Sequence, residues 1–317
     1  MAVTGNAPTP ANLAAMIPEV WSPIVNTANF PEAVLTNFCL DLSQYVAEGG
    51  DVVHVPDLYT NTLTSSTQST EGTEITPVVA ALVDDSITVT THEYVAFMIG
   101  DNTMSQLASI YNLNAEYARE AQGVLMNVIE AALAAQWSSL STTSVGDTSN
   151  GLTDVNIREA ISTLESANFR TSDMAIFVHP EVYWTQILGI SKYYTFDTST
   201  FDAIKDGLLG GSEGGMRHRF KGVLYDIPVF TTTNIVNSLQ TYRNLLLTPR
   251  AFAWAVRPMG GSIETEFGPT PLRFRVQTEY QLRNLATLTV VDFSYGTGVL
   301  RADGGVVLNS SNDFVTS

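Results

Sequence analysis

The sequence predicts an α+β protein, and three observations carry that prediction. Val52-Val53-His54-Val55-Pro56, introduced by Gly49-Gly50, and Ser86-Ile87-Thr88-Val89-Thr90 have the β-branched composition of two pairing strands. From Thr103 the apolar period changes to three and four: Met104, Leu107, Ile110, Leu113, Tyr117, Ala121, Val124, Leu125, Val128, Ile129, Ala132 and Leu133 mark one helix face. From Leu272 to Tyr280 it returns to two, with Arg273, Arg275 and Gln277 on one side and Phe274, Val276 and Thr278 on the other. With 317 residues and 44% hydrophobic content, the chain has material for a sizeable core, in one large domain or two ordinary ones.

Charge is segregated along the chain. The first 118 residues hold thirteen Asp and Glu and no Lys or Arg; all fifteen bases lie at Arg119 or beyond, beside nineteen acids. The front third therefore repels polyphosphates and is suited to dock on the more basic surface of another copy. Nucleic-acid recognition, which depends on clustered cations, is disfavoured. The one dense basic cluster, Arg217-His218-Arg219-Phe220-Lys221, stands beside Gly210-Gly211 and Gly214-Gly215 and reads as a solvated loop. No run of about eighteen apolar residues is present to span a membrane. The start, MAVTGNAPTPANLAAM, has neither a basic nor a compact apolar leader region, so a cytoplasmic chain is expected. Cys39 is the sole cysteine; its flanks supply no cation, and it reads as a small buried hydrophobe.

Residues 1–50 read as an arm, because Pro8, Pro10, Pro18, Pro23 and Pro31 interrupt each apolar patch before a helix matures. Trp21 is expected to anchor it, and Phe30 to Val46 has room for one or two amphipathic turns. The strands at Val52 and Ser86, the latter continuing through Tyr94-Val95-Ala96-Phe97, make a long hairpin. Residues 60–85 between them are rich in Thr and Ser and carry Glu71, Glu74, Asp84 and Asp85. That stretch far exceeds the usual loop of about 4–6 residues, so it is either disordered or held by a partner.

Thr103 with Gln106 forms a capping-box pattern, and a helix unbroken to Trp137 would run roughly 50 Å; Asn112 and Asn114 are places where it would break. After a Ser/Thr-rich linker, 138–150, the pattern becomes α/β. Thr153 or Asp154 opens a helix with Val155, Ile157, Ala160, Ile161 and Leu164 inward; Met174 to Val178 is a strand, and His179-Pro180 starts another helix. Val223 to Thr231 and Asn244 to Thr248 read as strands, and Pro249 to Trp254 as a helical turn. Ser262 to Phe267 and Leu272 to Tyr280 flank a turn at Gly268-Pro269-Thr270-Pro271. Leu285 to Tyr295 has the continuous apolarity of a strand buried on both faces, and Val306-Val307-Leu308 is expected to close the last sheet.

Motifs of chemistry are missing. His54, His92, His179 and His218 fall in four different elements without ligand spacing, so no metal site and no cofactor is expected. The span Gly207 to Gly215 lacks GxxxxGK[ST], no GxSxG elbow occurs, and Glu264 with Glu266 reads as exposed strand charge. No catalytic residue is nominated and the chain is not expected to be an enzyme.

The order of parts then carries a resemblance: acidic arm, long hairpin, long helix, α/β domain, and long strands returning to the helix. With Ile17-Pro18-Glu19-Val20-Trp21-Ser22-Pro23, Gly50-Asp51-Val52-Val53-His54-Val55-Pro56, Ala118-Arg119-Glu120-Ala121 and Val178-His179-Pro180-Glu181-Val182-Tyr183, the chain resembles the major capsid proteins of tailed bacteriophages over nearly its whole length. The resemblance implies the Hong Kong 97-type fold. Its parts would be an N-terminal arm (1–50), an extended loop hairpin (51–99), a peripheral-domain spine helix and linker (100–150), an axial domain (151–255), peripheral-domain strands (256–300) and a C-terminal segment (301–317).

It further implies a shell of hexamers and pentamers enclosing double-stranded DNA without sequence-specific binding, located in the virion after assembly in the host cytoplasm. Scaffolding, portal, and cement or decoration proteins would be its partners, and no membrane. Arm and loop would reach over neighbouring copies, with Trp21 as a contact of the arm and Glu71, Glu74, Asp84 and Asp85 near a neighbour's Arg273, Arg275 or Arg283. Some members weld their shells by an isopeptide bond from a loop lysine. Here the lysines are Lys192, Lys205 and Lys221, so non-covalent interlocking is expected. Two other readings stay open: an encapsulin-type bacterial compartment of the same fold, and an α/β hydrolase built on Thr153 to Trp254.

Overall fold

A computed structural model describes residues 33–46, 50–57, 65, 67, 71–72, 74, 83–103, 113–140, 144–190, 219–238, 241–257, 259, 262–267 and 270–311. Its first part holds α1 (Leu35–Phe38), β1 (Leu40–Asp41), α2 (Ser43–Val46), β2 (Val52–Asp57), β3 (Val83–Thr88), β4 (Thr91–Gly100) and α3 (Leu113–Ala135). The middle holds β5 (Val145–Gly146), α4 (Asp154–Ser166), β6 (Ala175–Val178), α5 (Pro180–Thr185), β7 (Phe220–Leu224), β8 (Ile227–Thr231), β9 (Asn237–Ser238) and β10 (Thr241–Leu247). The last part holds β11 (Phe252–Arg257), β12 (Ser262–Phe267), β13 (Thr270–Gln281), β14 (Ala286–Val299) and β15 (Gly305–Ser311).

One sheet has the order β1-β11-β14-β13-β12, with β4 on the opposite edge of β14. Helix α3 covers its inner face. Two adjacent rows of the helix are buried, Ala121/Leu125/Ile129/Leu133 and Met126/Glu130/Ala134, as i,i+4 spacing dictates. They share a core with Trp254, Phe274, Val291 and Phe293. Each fully buried Leu or Ile contributes about 1.5–3 kcal/mol, so this stripe and not helix propensity holds α3 in place. At the near end Phe97 meets Tyr117 edge-on, ring centroids 5.5 Å apart.

The second sheet has the order β5-β15-β10-β6-β8-β7, with β9 beside β10. It is mixed: β6 runs parallel to β8 and β5 to β15, the other pairs being antiparallel. Ile157, Ala160, Ile161 and Leu164 of α4 pack with Ile176, Val178, Leu246 and Leu308 from the sheet. The expected caps form. The Thr153 hydroxyl accepts from Asn156 N at 3.4 Å, and His179 Nδ1 accepts from Glu181 N at 3.3 Å with Pro180 at the first helical position. Asn244 is buried and satisfied across strands, accepting from His179 N (3.0 Å) and donating to Leu308 O (3.2 Å) and Ser310 Oγ (2.9 Å).

Several expectations are corrected. Pro249 to Trp254 is not helical: Phe252–Arg257 is the strand β11, central to its sheet and antiparallel to β14. Val223 to Thr231 is two strands, reversed at Tyr225 and Asp226, whose φ values of 54° and 62° supply a tight hairpin turn without glycine. The hairpin β2–β3 ends at Thr88, and Tyr94 to Phe97 belongs to β4 in the six-stranded sheet. Val306-Val307-Leu308 joins β10 in the seven-stranded sheet, not the sheet of β13 and β14. Residues 33–46, expected as the end of an arm, are built into the chain's own core: Val34, Leu35, Cys39, Leu42 and Val46 are all buried. Cys39 is buried as expected, and burial, with the nearby Glu130 carboxylate adding, pushes its thiol far up. Gln106 of the capping box, with the rest of the stretch 104–112, the glycine span and His218, lies outside the described residues.

Candidate inter-subunit surface

The root of the hairpin β2–β3 is fixed by a small core of its own. Val53, Ile87 and Val89 turn inward onto Leu42, Val46, Ala253, Ala255 and Leu300. Val89 N donates to Asp51 O at 2.6 Å and closes the base. The backbone of β3 then crosses β14 at a glycine: a Cβ on Gly296 would stand 2.2 Å from Thr88 O, and one on Gly298 3.2 Å from Ile87 Cγ1. Two glycines in a strand are therefore what lets the hairpin lie against the sheet. The outer face is polar, with His54 Nδ1 and Asp84 Oδ2 2.5 Å apart and largely exposed. A groove of about 780 Å³ runs beside this root, lined by Leu40, Tyr45, Val53, Val55, Arg250 and Arg301 among others.

On the six-stranded sheet a cross-strand cluster sits on the face away from α3. Arg275 Nε donates to Asp292 Oδ1 at 2.9 Å, a second guanidinium nitrogen donates to Oδ2, and His92 Nε2 lies 2.9 Å from Oδ2. The three come from β13, β14 and β4, in register at Arg275↔Asp292, with His92 one diagonal step away. The Asp292 side chain is 4% exposed. Burial alone would raise its pKa, but the bonds from Arg275 and His92 outweigh this and hold the carboxyl below the usual range.

The sequence-predicted contact residues are thus distributed. Glu71 and Glu74 are exposed, flanking Gly72 in a left-handed turn (φ 88°). Asp84 is exposed on β3, and Asp85 lines the groove. Arg283 is exposed in the turn between β13 and β14. Arg275 is engaged by Asp292 of its own chain, so reversing its charge would disturb the sheet as well as any contact with a neighbour. Arg273 is placed by register opposite Glu264 on the β12–β13 pair. Trp21 lies outside the described residues. Sequence reasoning missed Gly296 and Gly298, although Gly-Thr-Gly inside a strand pattern is itself the signal of a close backbone approach. Among the described residues no group of three His, Cys, Asp or Glu has the geometry to hold a metal ion.

No protein-family model and no curated protein sequence matches the chain. Solved structures do. A structure from Mycobacterium phage Che8 superposes with a TM-score of 0.66 at 18% identity, covering 92% of this chain and 96% of that one. The capsid of Ralstonia phage GP4 gives 0.66 at 12% identity over 100% and 99%. The mature capsid of bacteriophage PhiM1 gives 0.63 at 12% over 94% and 93%. The chain therefore shares the α+β fold of these phage structures over nearly its whole length. That fold is the phage major capsid protein fold expected from the order of its parts.

Proposed function

We propose that the chain is the major capsid (shell) protein of a tailed phage, self-assembling into hexamers and pentamers of an icosahedral head that encloses double-stranded DNA. The observation that carries this reading is the agreement along the whole length with capsid subunits, from 92% to 100% of this chain in three structures. A hairpin seated on a small core of its own, apart from the main core, suits a shell subunit that reaches a neighbour better than a compact enzyme. Its neighbours meet it through heterologous contacts, one surface against a different surface of the next copy. The role is structural, and its home is the virion after assembly in the host cytoplasm.

The charge split supports the same reading. In this reading Glu71, Glu74, Asp84 and Asp85 of one copy meet Arg273, Arg275 or Arg283 of the next, and charge complementarity fixes the register. Because Arg275 is committed to Asp292, the exposed Arg283 is the cleaner test. Interlocking is non-covalent, since Lys192, Lys205 and Lys221 all lie outside residues 51–99. Scaffolding, portal and cement proteins complete the head, and arm, hairpin, spine helix and axial domain divide the work as in the sequence scheme.

Arg283→Glu should leave circular dichroism unchanged and abolish shells, with partial recovery when Glu71 and Glu74 are both changed to Lys. Normal shells from Arg283→Glu would sink the pairing. Particles isolated from cells should protect DNA from nuclease; an enclosed enzyme instead would mark a bacterial compartment.

A further inference from the structure

The side chain of Glu130 is 0% exposed, in the middle of α3, and its partners are all neutral. Oε2 accepts from Leu35 N at 3.0 Å; Oε1 accepts from Thr36 N at 2.8 Å and lies 2.6 Å from Thr36 Oγ1. These are the first donors of α1, so the carboxyl caps the short helix that begins the described chain. Thr36 O in turn accepts from Trp254 Nε1 at 3.1 Å, tying the same residue to β11. Among the described residues no Lys, Arg or His hydrogen-bonds or pairs with Glu130. The titratable group that faces it from α1 is Cys39, whose thiol feels its charge. From β11 it meets the Trp254 side of Thr36, which carries no titrating group.

We propose that Glu130 is a proton-operated latch: as the neutral acid it holds Ala33–Cys39 against α3, and as the carboxylate it lets that segment open. In the neutral form the carboxyl still accepts the amide hydrogens of Leu35 and Thr36, and no net charge is buried. In the ionised form the charge sits in the core without a cation, a cost relieved only when the segment lifts and water enters. Burial raises the pKa of Glu130 against the opposing bonds from Thr36, Leu35 and Val34.

The closed segment carries further penalties. Asn37 Oδ1, and Asn127 Oδ1 one turn before Glu130, are buried with no hydrogen-bond partner. Because the closed-state pKa stands above the ordinary value of 4.5, closure is favoured fully below that pH and weakens as pH rises toward the closed-state value. Above it the opening constant levels off.

Cys39, buried and the sole cysteine, reports the opening. The full chain is labelled with a thiol reagent under native conditions from pH 5 to 8, each rate divided by that of the denatured chain at the same pH. Protection of the wild type should fall by up to about tenfold per pH unit before levelling. Glu130→Gln, which mimics the neutral acid, should give protection that does not change with pH. A flat wild-type profile, or the same slope in Glu130→Gln, overturns the latch. Amide exchange of Leu35 and Thr36 in the wild type, compared with Leu245 in β10, gives a second reading that needs no variant. Opening of α1 with rising pH while Leu245 stays protected supports the latch, and loss of both together overturns it.

Discussion

Arg275 grips Asp292 with two guanidinium nitrogens across the β13–β14 pair, and His92 bonds the same carboxylate from β4. One buried acid therefore joins three strands. Because Asp292 is held below the ordinary value of 3.8, its contribution is fully present above that pH and is lost as pH falls through the depressed value. Acid titrations of stability should show a component below about pH 3.8 that Asp292→Asn lacks. Arg275→Ala, which leaves the carboxylate with His92 alone, should cost about 2–4 kcal/mol in chemical denaturation at pH 7.

Gly296 and Thr88 set the seat of the hairpin. A methyl at position 296 meets a carbonyl oxygen at 2.2 Å, and a backbone atom cannot swing aside as a side-chain end can. Gly296→Ala should cost about 1–3 kcal/mol and reduce shell yield, whereas Gly298→Ala, facing the more adaptable Ile87 side chain, should be milder on both measures. Equal effects of the two substitutions would argue against a close approach confined to Gly296.

Trp254 fills the core under α1 and spends its indole hydrogen on Thr36 O. Trp254→Phe keeps an aromatic ring but removes the donor to that carbonyl and leaves a cavity where the indole was larger, so a loss of about 2–4 kcal/mol is expected in denaturation. Loss of secondary structure by circular dichroism would instead mean that ring volume, and not the hydrogen bond, is decisive.

Legibility in the sequence followed the range of the interactions. The cap at Thr153, the Pro180 helix start and the bounds of β12 are written within a few residues, and structure and sequence agree on them. Phe252 to Val256 was ambiguous because a short apolar run just after Pro249 fits a buried strand or a helical turn, and length cannot separate them. The partner β14, far along the chain, decides it. The turn at Tyr225-Asp226 hides because left-handed backbone is usually announced by Gly or Asn.

Glu130 looks like any helical acid until α1 folds over it. For the proposed inter-subunit surface, charge segregation nominates the candidate residues, but the intrachain claim of Asp292 on Arg275 depends on sheet register that alternation alone does not specify.

The central claim is that this chain builds shells, and electron microscopy of the purified protein tests it most directly. Uniform icosahedral particles, lattices of hexamers or closed shells of one diameter, are the result expected; a dispersed monomer under every assembly condition, with catalytic turnover of some substrate, would contradict it.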